Sequence, residues 1–338
     1  MAADAPRTAA GMRTRQAVLL LLLGISTVIA ALRLGPTEIP PSPEMGQPVF
    51  PGIAPKLAQA ARIEISGGGK STTLIAQGDG WGVAERGLYP AQPQKLRALF
   101  AGLGELRLIE PRTSNPVLFA RLGVDDPSKS GSTAVSLRVR TADGGTLAEL
   151  VLGHSSLRTQ GGLPQSVYLR RPSDTSAWLA EGAVAAEADP QSWLVRDIID
   201  IPRARIAQVD VQHDSALIVL TRDGEAMHLA NPPPGKLDTY HIDEIGQALE
   251  GVTLADVQRG VLPGTPAGSA VFTTTDGLAI GVTLSKDGKL LWASFTATGP
   301  GAEAYARLTG WVFQLPEWRE SVLAPSQADL MSKEEPPK

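Results

Sequence analysis

The chain contains no cysteine. That excludes thiol catalysis, disulfide exchange and every cysteine-based metal site. It does not argue against export, because a domain of this size can rely on its core without disulfides. Histidine is scarce as well, with 4 in the chain. No pair among His154, His213, His228 and His241 has the i, i+4 spacing or the HExxH pattern of a zinc hydrolase. The net charge of −4 leaves no basic field, so no nucleic acid is expected as a partner. A complete phosphate-binding loop is missing too. Gly67-Gly68-Gly69-Lys70-Ser71-Thr72 matches its end, but the first glycine of the pattern falls on Glu64. The residues after it, Ser71 to Ile75, read as a strand and not as the helix whose N-terminus would hold a phosphate. The reading is a hairpin turn, and no nucleotide is expected. There is no G-x-S-x-G elbow to anchor a serine triad.

What the chain does have is one long apolar run. Gln16 to Leu32 carries no charged side chain. Such a run reaches the lower limit of about 17 residues for a membrane-crossing helix. Arg7, Arg13 and Arg15 precede it, and Arg33, Glu38 and Glu44 follow. Positive charge stays cytoplasmic, so the start of the chain is expected inside and residues from 35 onward outside. A cleaved secretory signal fits the same features, with small residues at Val28-Ile29-Ala30 placing the cut after Ala30. Prolines 36, 40, 41, 43, 48, 51 and 55 then predict an extended, semi-rigid spacer, which suits an uncleaved anchor.

Beyond the spacer, 43% hydrophobic and 20% charged residues indicate a globular region. The periodicity predicts strands at Arg62–Ser66, Ser71–Gln77 and Trp81–Val83, then a helix from Gln92 to Arg107 with Leu96, Leu99, Phe100, Leu103 and Leu106 at helical spacing. Strands follow at Thr133–Arg140, Thr146–Leu152 and Ser166–Arg171, with helical turns at Thr175–Glu181 and Trp193–Ile199. The pattern then restarts. Strands are expected at 205–212, 216–221 and 225–229, a helix at His241–Leu249, a meander at 270–275, 278–285 and 290–297, and a last strand at Gly310–Pro316. The fold class is therefore α+β: a transmembrane helix followed by two similar antiparallel-sheet-plus-helix units, an internal duplication with a period of roughly 140 residues. The expected divisions are a cytoplasmic start (1–15), a signal-anchor helix (16–34), a Pro-rich linker (35–58), unit 1 (59–200), unit 2 (201–325) and a disordered tail (326–338).

Several segments also resemble a known family. Trp81-x-Val83, Tyr89-Pro90-Ala91, the leucine-spaced helix, Leu122-Gly123-Val124-Asp125-x-Pro127, the strand ending Leu152-Gly153, and Val167-Tyr168-Leu169 are similar to members of the DUF4340 family, a domain of unknown function. The resemblance covers about residues 59–325. Its second half lacks a clear Tyr-Pro-Ala or Leu-Gly-x-Asp-x-Pro counterpart. Members look like single-anchor bacterial proteins with a repeated α+β domain that accompany ABC-transporter subunits of the gliding-motility type. The resemblance thus implies the bacterial inner membrane, a periplasmic domain and ABC-transporter membrane subunits as partners. The family has no established catalytic residues to carry over.

Four groups of residues are candidates for chemistry. His154 follows Gly153 at a strand end, where a side chain can enter a cleft. Its bland reading is a surface loop. Asp125-Asp126 and the Asp197/Asp200 pair resemble glycosidase or metal carboxylates, but fit a helix-ending turn and the exposed side of a short helix. Trp81, Trp178, Trp193, Trp292, Trp311 and Trp318 could line a carbohydrate platform, though tryptophan beside apolar residues is usually core. Trp311 and Trp318 are the place to look for a partner patch. No catalytic, cofactor-binding or metal residue is assigned, and no cofactor.

The expected function is a non-enzymatic auxiliary of an ABC-type transporter or envelope complex. The alternatives are a periplasmic binding module for polysaccharide, lipid or peptide with a cleft between the two units, and an envelope hydrolase. The anchor reading has a direct check. The protein should stay in the membrane fraction after a carbonate wash, with its N-terminus at or near Met1. A mature N-terminus at Ala31 contradicts it.

Overall fold

The computed structural model describes residues 42–156, 165–213 and 216–332. The 16–34 segment lies outside them. Among the described residues no helix is long and apolar enough to cross a membrane. The described residues from Gly46 onward form one compact unit built mostly of antiparallel sheet, with few helices.

The first sheet contains β1 (Ala60–Gly67), β2 (Lys70–Gln77), β3 (Gly80–Val83), β4 (Tyr89–Pro90), β5 (Arg107–Thr113), β6 (Val135–Thr141), β7 (Thr146–Ser156), β8 (Ser166–Arg170) and β9 (Ala177–Glu181). Their order is β4-β3-β2-β1-β6-β7-β8-β9-β5. Alternation sends Ile63 and Ile65 of β1, Leu137 and Val139 of β6, and Leu150 of β7 into the core. The opposite face is ionic. Glu64 lies within salt-bridge reach of Arg62, Arg138 and Arg140, and Arg138 also pairs with Glu149. Helix α1 (Pro93–Glu105) starts on a proline, whose fixed φ suits a first turn. It buries Leu96, Leu99 and Leu103. Gly102 is required on its inner face, since a Cβ there would lie 2.2 Å from the Ala183 carbonyl oxygen.

A connector leads to the second sheet. It makes a 3₁₀ turn at Pro190–Trp193 and then β10 (Asp197–Ile199). The second sheet contains β11 (Ile206–His213), β12 (Ala216–Asp223), β13 (Ala226–Leu229), β15 (Asp256–Arg259), β16 (Thr265–Thr274), β17 (Ala279–Asp287), β18 (Leu290–Thr298) and β19 (Trp311–Leu315). Its order is β13-β12-β11-β16-β17-β18-β19-β15, while β10 pairs with β14 (Val252–Thr253). The shorter helices are α2 (Phe119–Leu122), α3 (Thr239–Ile245) and α4 (Glu320–Leu323). One continuous apolar cluster runs through both sheets, from Ile63 and Leu99 to Phe272 and Phe313.

Several expectations are corrected. Thr175–Glu181 is not helical: Ala177–Glu181 is β9, paired to both β8 and β5. Its Ala-Trp-Leu-Ala-Glu sequence has helical propensity, which tertiary pairing overrides. Trp193–Ile199 is a turn end followed by a strand, because Asp197 and Ile199 pair with Thr253 and Val252. Leu96's helix ends at Glu105, and β5 begins at Arg107. The linker reading stops short as well. Val49 and Ile53 are buried, and the Val49 N–H donates to the Leu106 carbonyl. The supposed tail is folded as far as Ser332: Leu330 is buried and its carbonyl accepts from the Asp238 N–H.

Candidate functional site

The two sheets meet at a polar seam. Its first half is a tight reversal between β3 and β4. A 3₁₀ turn at Ala84–Arg86 is followed by left-handed Gly87, with φ of 61°. Leu88 follows at φ 66°, the one positive-φ residue other than glycine among the described residues. A left-handed residue with a Cβ costs about 1–2 kcal/mol. The reversal is fixed by the Leu88 N–H donating to Val83, which brings Tyr89 opposite Val83.

That turn projects Arg86 onto Asp256 at the start of β15. Arg86 Nε and Nη2 donate to Asp256 Oδ1 and Oδ2 at 2.5 and 3.0 Å. Gln191 of the connector donates to Oδ2 at 2.8 Å, and the Val257 N–H to Oδ1 at 2.8 Å. Burial pushes the Asp256 carboxyl up, but these hydrogen bonds outweigh it and hold it below the usual carboxylate range. The connector also ties both sheets through backbone bonds. Gln92 N–H donates to Trp193 and Val195 N–H to Pro90 on one side, and Leu254 N–H to Arg196 on the other.

Beside the seam lies a groove of about 480 Å³, lined by Gln77, Leu88, Tyr89, Pro90, Val195, Asp197, Arg259, Arg307 and Trp311. Arg259 stacks 4.3 Å above the Trp311 ring and donates to the Gly87 carbonyl at 3.0 Å. Arg307 donates to the Ile198 carbonyl at 2.6 Å. Tyr89 stands edge-on to Trp311, with centroids 5.0 Å apart. Burial pushes its hydroxyl up to about 12; Arg307 works against this and Asp197 with it. At neutral pH the phenol is protonated. The groove therefore offers an apolar wall, a phenol and two guanidiniums already oriented by carbonyls, which is equipment for binding.

A second groove, of about 450 Å³, lies between α3 and the 3₁₀ turn after β19 (Glu317–Arg319). Its lining includes His241, Glu244, Gln247, Glu250, Trp318 and Arg319. Arg319 is buried and donates to the carbonyls of Ala248, Glu250 and Gly251 at 2.9, 3.3 and 3.1 Å. It thereby caps the carbonyls of the turn after α3. Burial lowers its pKa.

The structure disperses the candidate residues of the sequence. His154 lies in β7, its Nε2 3.1 Å from Thr133 Oγ1. Asp125 accepts from Ser132, and Asp126 from the Ser128 N–H and hydroxyl. These last bonds lower the Asp126 pKa. Asp200 accepts from the Gly251 N–H. No hydrogen bond links these residues to one another. Lys70 pairs with Asp189. Gly68 and Gly69 have positive φ at the β1–β2 turn. Trp178 and Trp193 are core, and Trp81 packs edge-on against Phe100. Trp311 is buried, whereas Trp318 is 61% exposed, so the two do not form one patch. The sequence does not point to Arg86, Gln191 or Asp256. Long-range pairing leaves no local signal for them. Among the described residues no three His, Asp or Glu side chains are grouped to hold a metal ion.

The family model described as Domain of unknown function (DUF4340) matches residues 81–269, more than half of the chain. The chain belongs to this family. The match is narrower than 59–325, and runs from β3 into β16 across both sheets. Comparison with curated proteins and with solved structures gives no match.

The Asp256 seam yields a pH prediction. A carboxylate with a depressed folded-state pKa adds stability above its unfolded value, about 3.9, and loses it as pH falls through the folded value. Asp256→Asn should lower stability by about 2 kcal/mol at pH 7, the scale of hydrogen bonds to a charged group. The gap to wild type should close below about pH 4. Urea melts across pH 3–7 check this; a gap that does not change with pH contradicts it.

Proposed function

We propose that this member of the DUF4340 family is a non-enzymatic, membrane-anchored periplasmic auxiliary protein of an ABC-type transporter or envelope complex. In this reading residues 16–34 form the anchor in the bacterial inner membrane, with the N-terminus cytoplasmic. The partners are ABC-transporter membrane subunits. The observation that carries the reading is the seam. Two large sheets are locked into one compact body by Arg86, Asp256 and the connector, which suits a body that transmits position from an anchor to an envelope partner. The polar residues best suited to chemistry serve turns and strand ends instead. Tethering raises effective concentration, so weak contacts suffice.

We also read the two sheets as an internal duplication. Supporting this, β3-β2-β1-β6-β7-β8-β9-β5 corresponds strand for strand to β13-β12-β11-β16-β17-β18-β19-β15, with β4 as the extra edge. A helix also falls between the corresponding strands of each half, α1 before β5 and α3 before β15.

A second reading, a binding module for an envelope polysaccharide, lipid or peptide, is favoured by the groove at Tyr89, Arg259, Arg307 and Trp311. One experiment separates the two. Tagged full-length protein is purified from mild detergent beside a form lacking residues 1–34, and co-purifying proteins are identified by mass spectrometry. ABC-transporter subunits should accompany the full-length form and fade without the anchor. Absence of any membrane protein from both removes the auxiliary reading.

A further inference from the structure

We propose that the groove between α3 and the Glu317–Arg319 turn is a saccharide-binding site, with the open face of Trp318 as its stacking platform. The inference does not rest on the transporter reading, and it concerns a different place from the inter-sheet groove.

The argument begins with the indole. A tryptophan that is 61% exposed is ordinarily free to change rotamer. Trp318 is not placed like that. The Arg319 guanidinium lies 4.5 Å from its ring centroid and covers one side. Arg319 is itself buried and held by three backbone carbonyls, so it is a fixed support. The indole is thus oriented in advance, and a ligand stacking on the other side meets a platform whose ordering cost is already met within the fold. A cation behind the ring also favours the ring's place in the fold without closing its outer face.

The rest of the lining suits hydroxyl groups. The side-chain amide of Gln247 makes no hydrogen bond within the described residues, and the residue borders the groove. Glu244 lies 3.1 Å from His241 Nδ1, and His241 Nε2 donates to the Ser321 carbonyl at 3.0 Å, which fixes the Glu244 side of the groove. Glu250 accepts from the Arg203 N–H. Each carboxylate keeps a second oxygen for a ligand donor. An apolar ring face beside planar amide and carboxylate groups matches a pyranose, which has an apolar C–H face and a rim of hydroxyls.

Other occupants fit less well. Glu244 and Glu250 beside the tryptophan oppose an anionic lipid surface. A cationic peptide would meet the Arg319 guanidinium in the groove wall. A neutral polyol asks only for the remaining lone pairs and the amide.

The test is isothermal titration of the full chain, held in a polyoxyethylene detergent that carries no sugar, with chitohexaose, cellohexaose and maltohexaose. Saturable binding of at least one is expected. Trp318→Ala should weaken it by about tenfold or more, the effect of losing a central aromatic anchor. Trp318→Tyr should retain it, and Gln247→Ala should weaken it. Because Trp318 is exposed, circular dichroism of the alanine variant should match wild type. Binding by none of the three sugars overturns the proposal, as does equal binding by Trp318→Ala. Vesicles of phosphatidylglycerol form a further arm. If they bind, lose affinity with Trp318→Ala, and no sugar binds, the platform belongs to a membrane contact and the proposal fails.

Discussion

Asp256 is the residue on which the two halves of this molecule depend. One carboxylate receives both prongs of Arg86 from the first sheet, the Gln191 amide from the connector and a backbone N–H of its own strand. A partly buried carboxylate still loses hydration, and here its lone pairs are filled from three separate pieces of chain. The geometry is available only when the sheets are correctly docked. Around it the Tyr89–Trp311 contact and the shared apolar cluster supply non-directional attraction, while the ion pair fixes the register of one sheet against the other.

Much of the sheet structure was legible from local pattern. Alternation at Ile63 and Ile65, and at Val209 and Val211, marked central strands, and the Gly68-Gly69 step marked the β1–β2 turn. Three of the elements that escaped share one property. β5, β9 and β15 close their sheets by pairing with strands distant in sequence or next to an edge. β5 contains Pro111, tolerated because β5 is an edge strand and its pairing with β9 shifts register there. β9 is written in helix formers. Local propensity could not reveal either, since the pairing that selects the strand comes from elsewhere in the chain. The seam was invisible for the same reason: Arg86 and Asp256 are 170 positions apart. Trp311 and Trp318 were singled out together, yet one is buried under Arg259 and the other is propped outward on Arg319. The strand-end alternation that separates them depends on where β19 stops.

The functional consequence follows from rigidity. A body whose sheets are stitched by a carboxylate, a connector and a common core moves as one piece, so surfaces on the first and second sheets keep a fixed relation. The left-handed Leu88 sits at the mouth of the inter-sheet groove, and strain of this kind is commonly retained where a surface has work to do. Arginine recurs as the organising side chain: Arg259 orients Trp311, Arg307 clamps the connector, and Arg319 supports Trp318. In each case a planar guanidinium is bound to backbone carbonyls, which is how Arg differs from Lys as a structural support.

The most direct measurement of the central claim is differential scanning calorimetry of the full chain, comparing the calorimetric and van't Hoff enthalpies of unfolding. If Asp256 and the connector make one cooperative body, there is a single transition and the two enthalpies agree. Two separable transitions, or a van't Hoff enthalpy near half the calorimetric one, would mean that the sheets unfold independently and that the seam does not unite them.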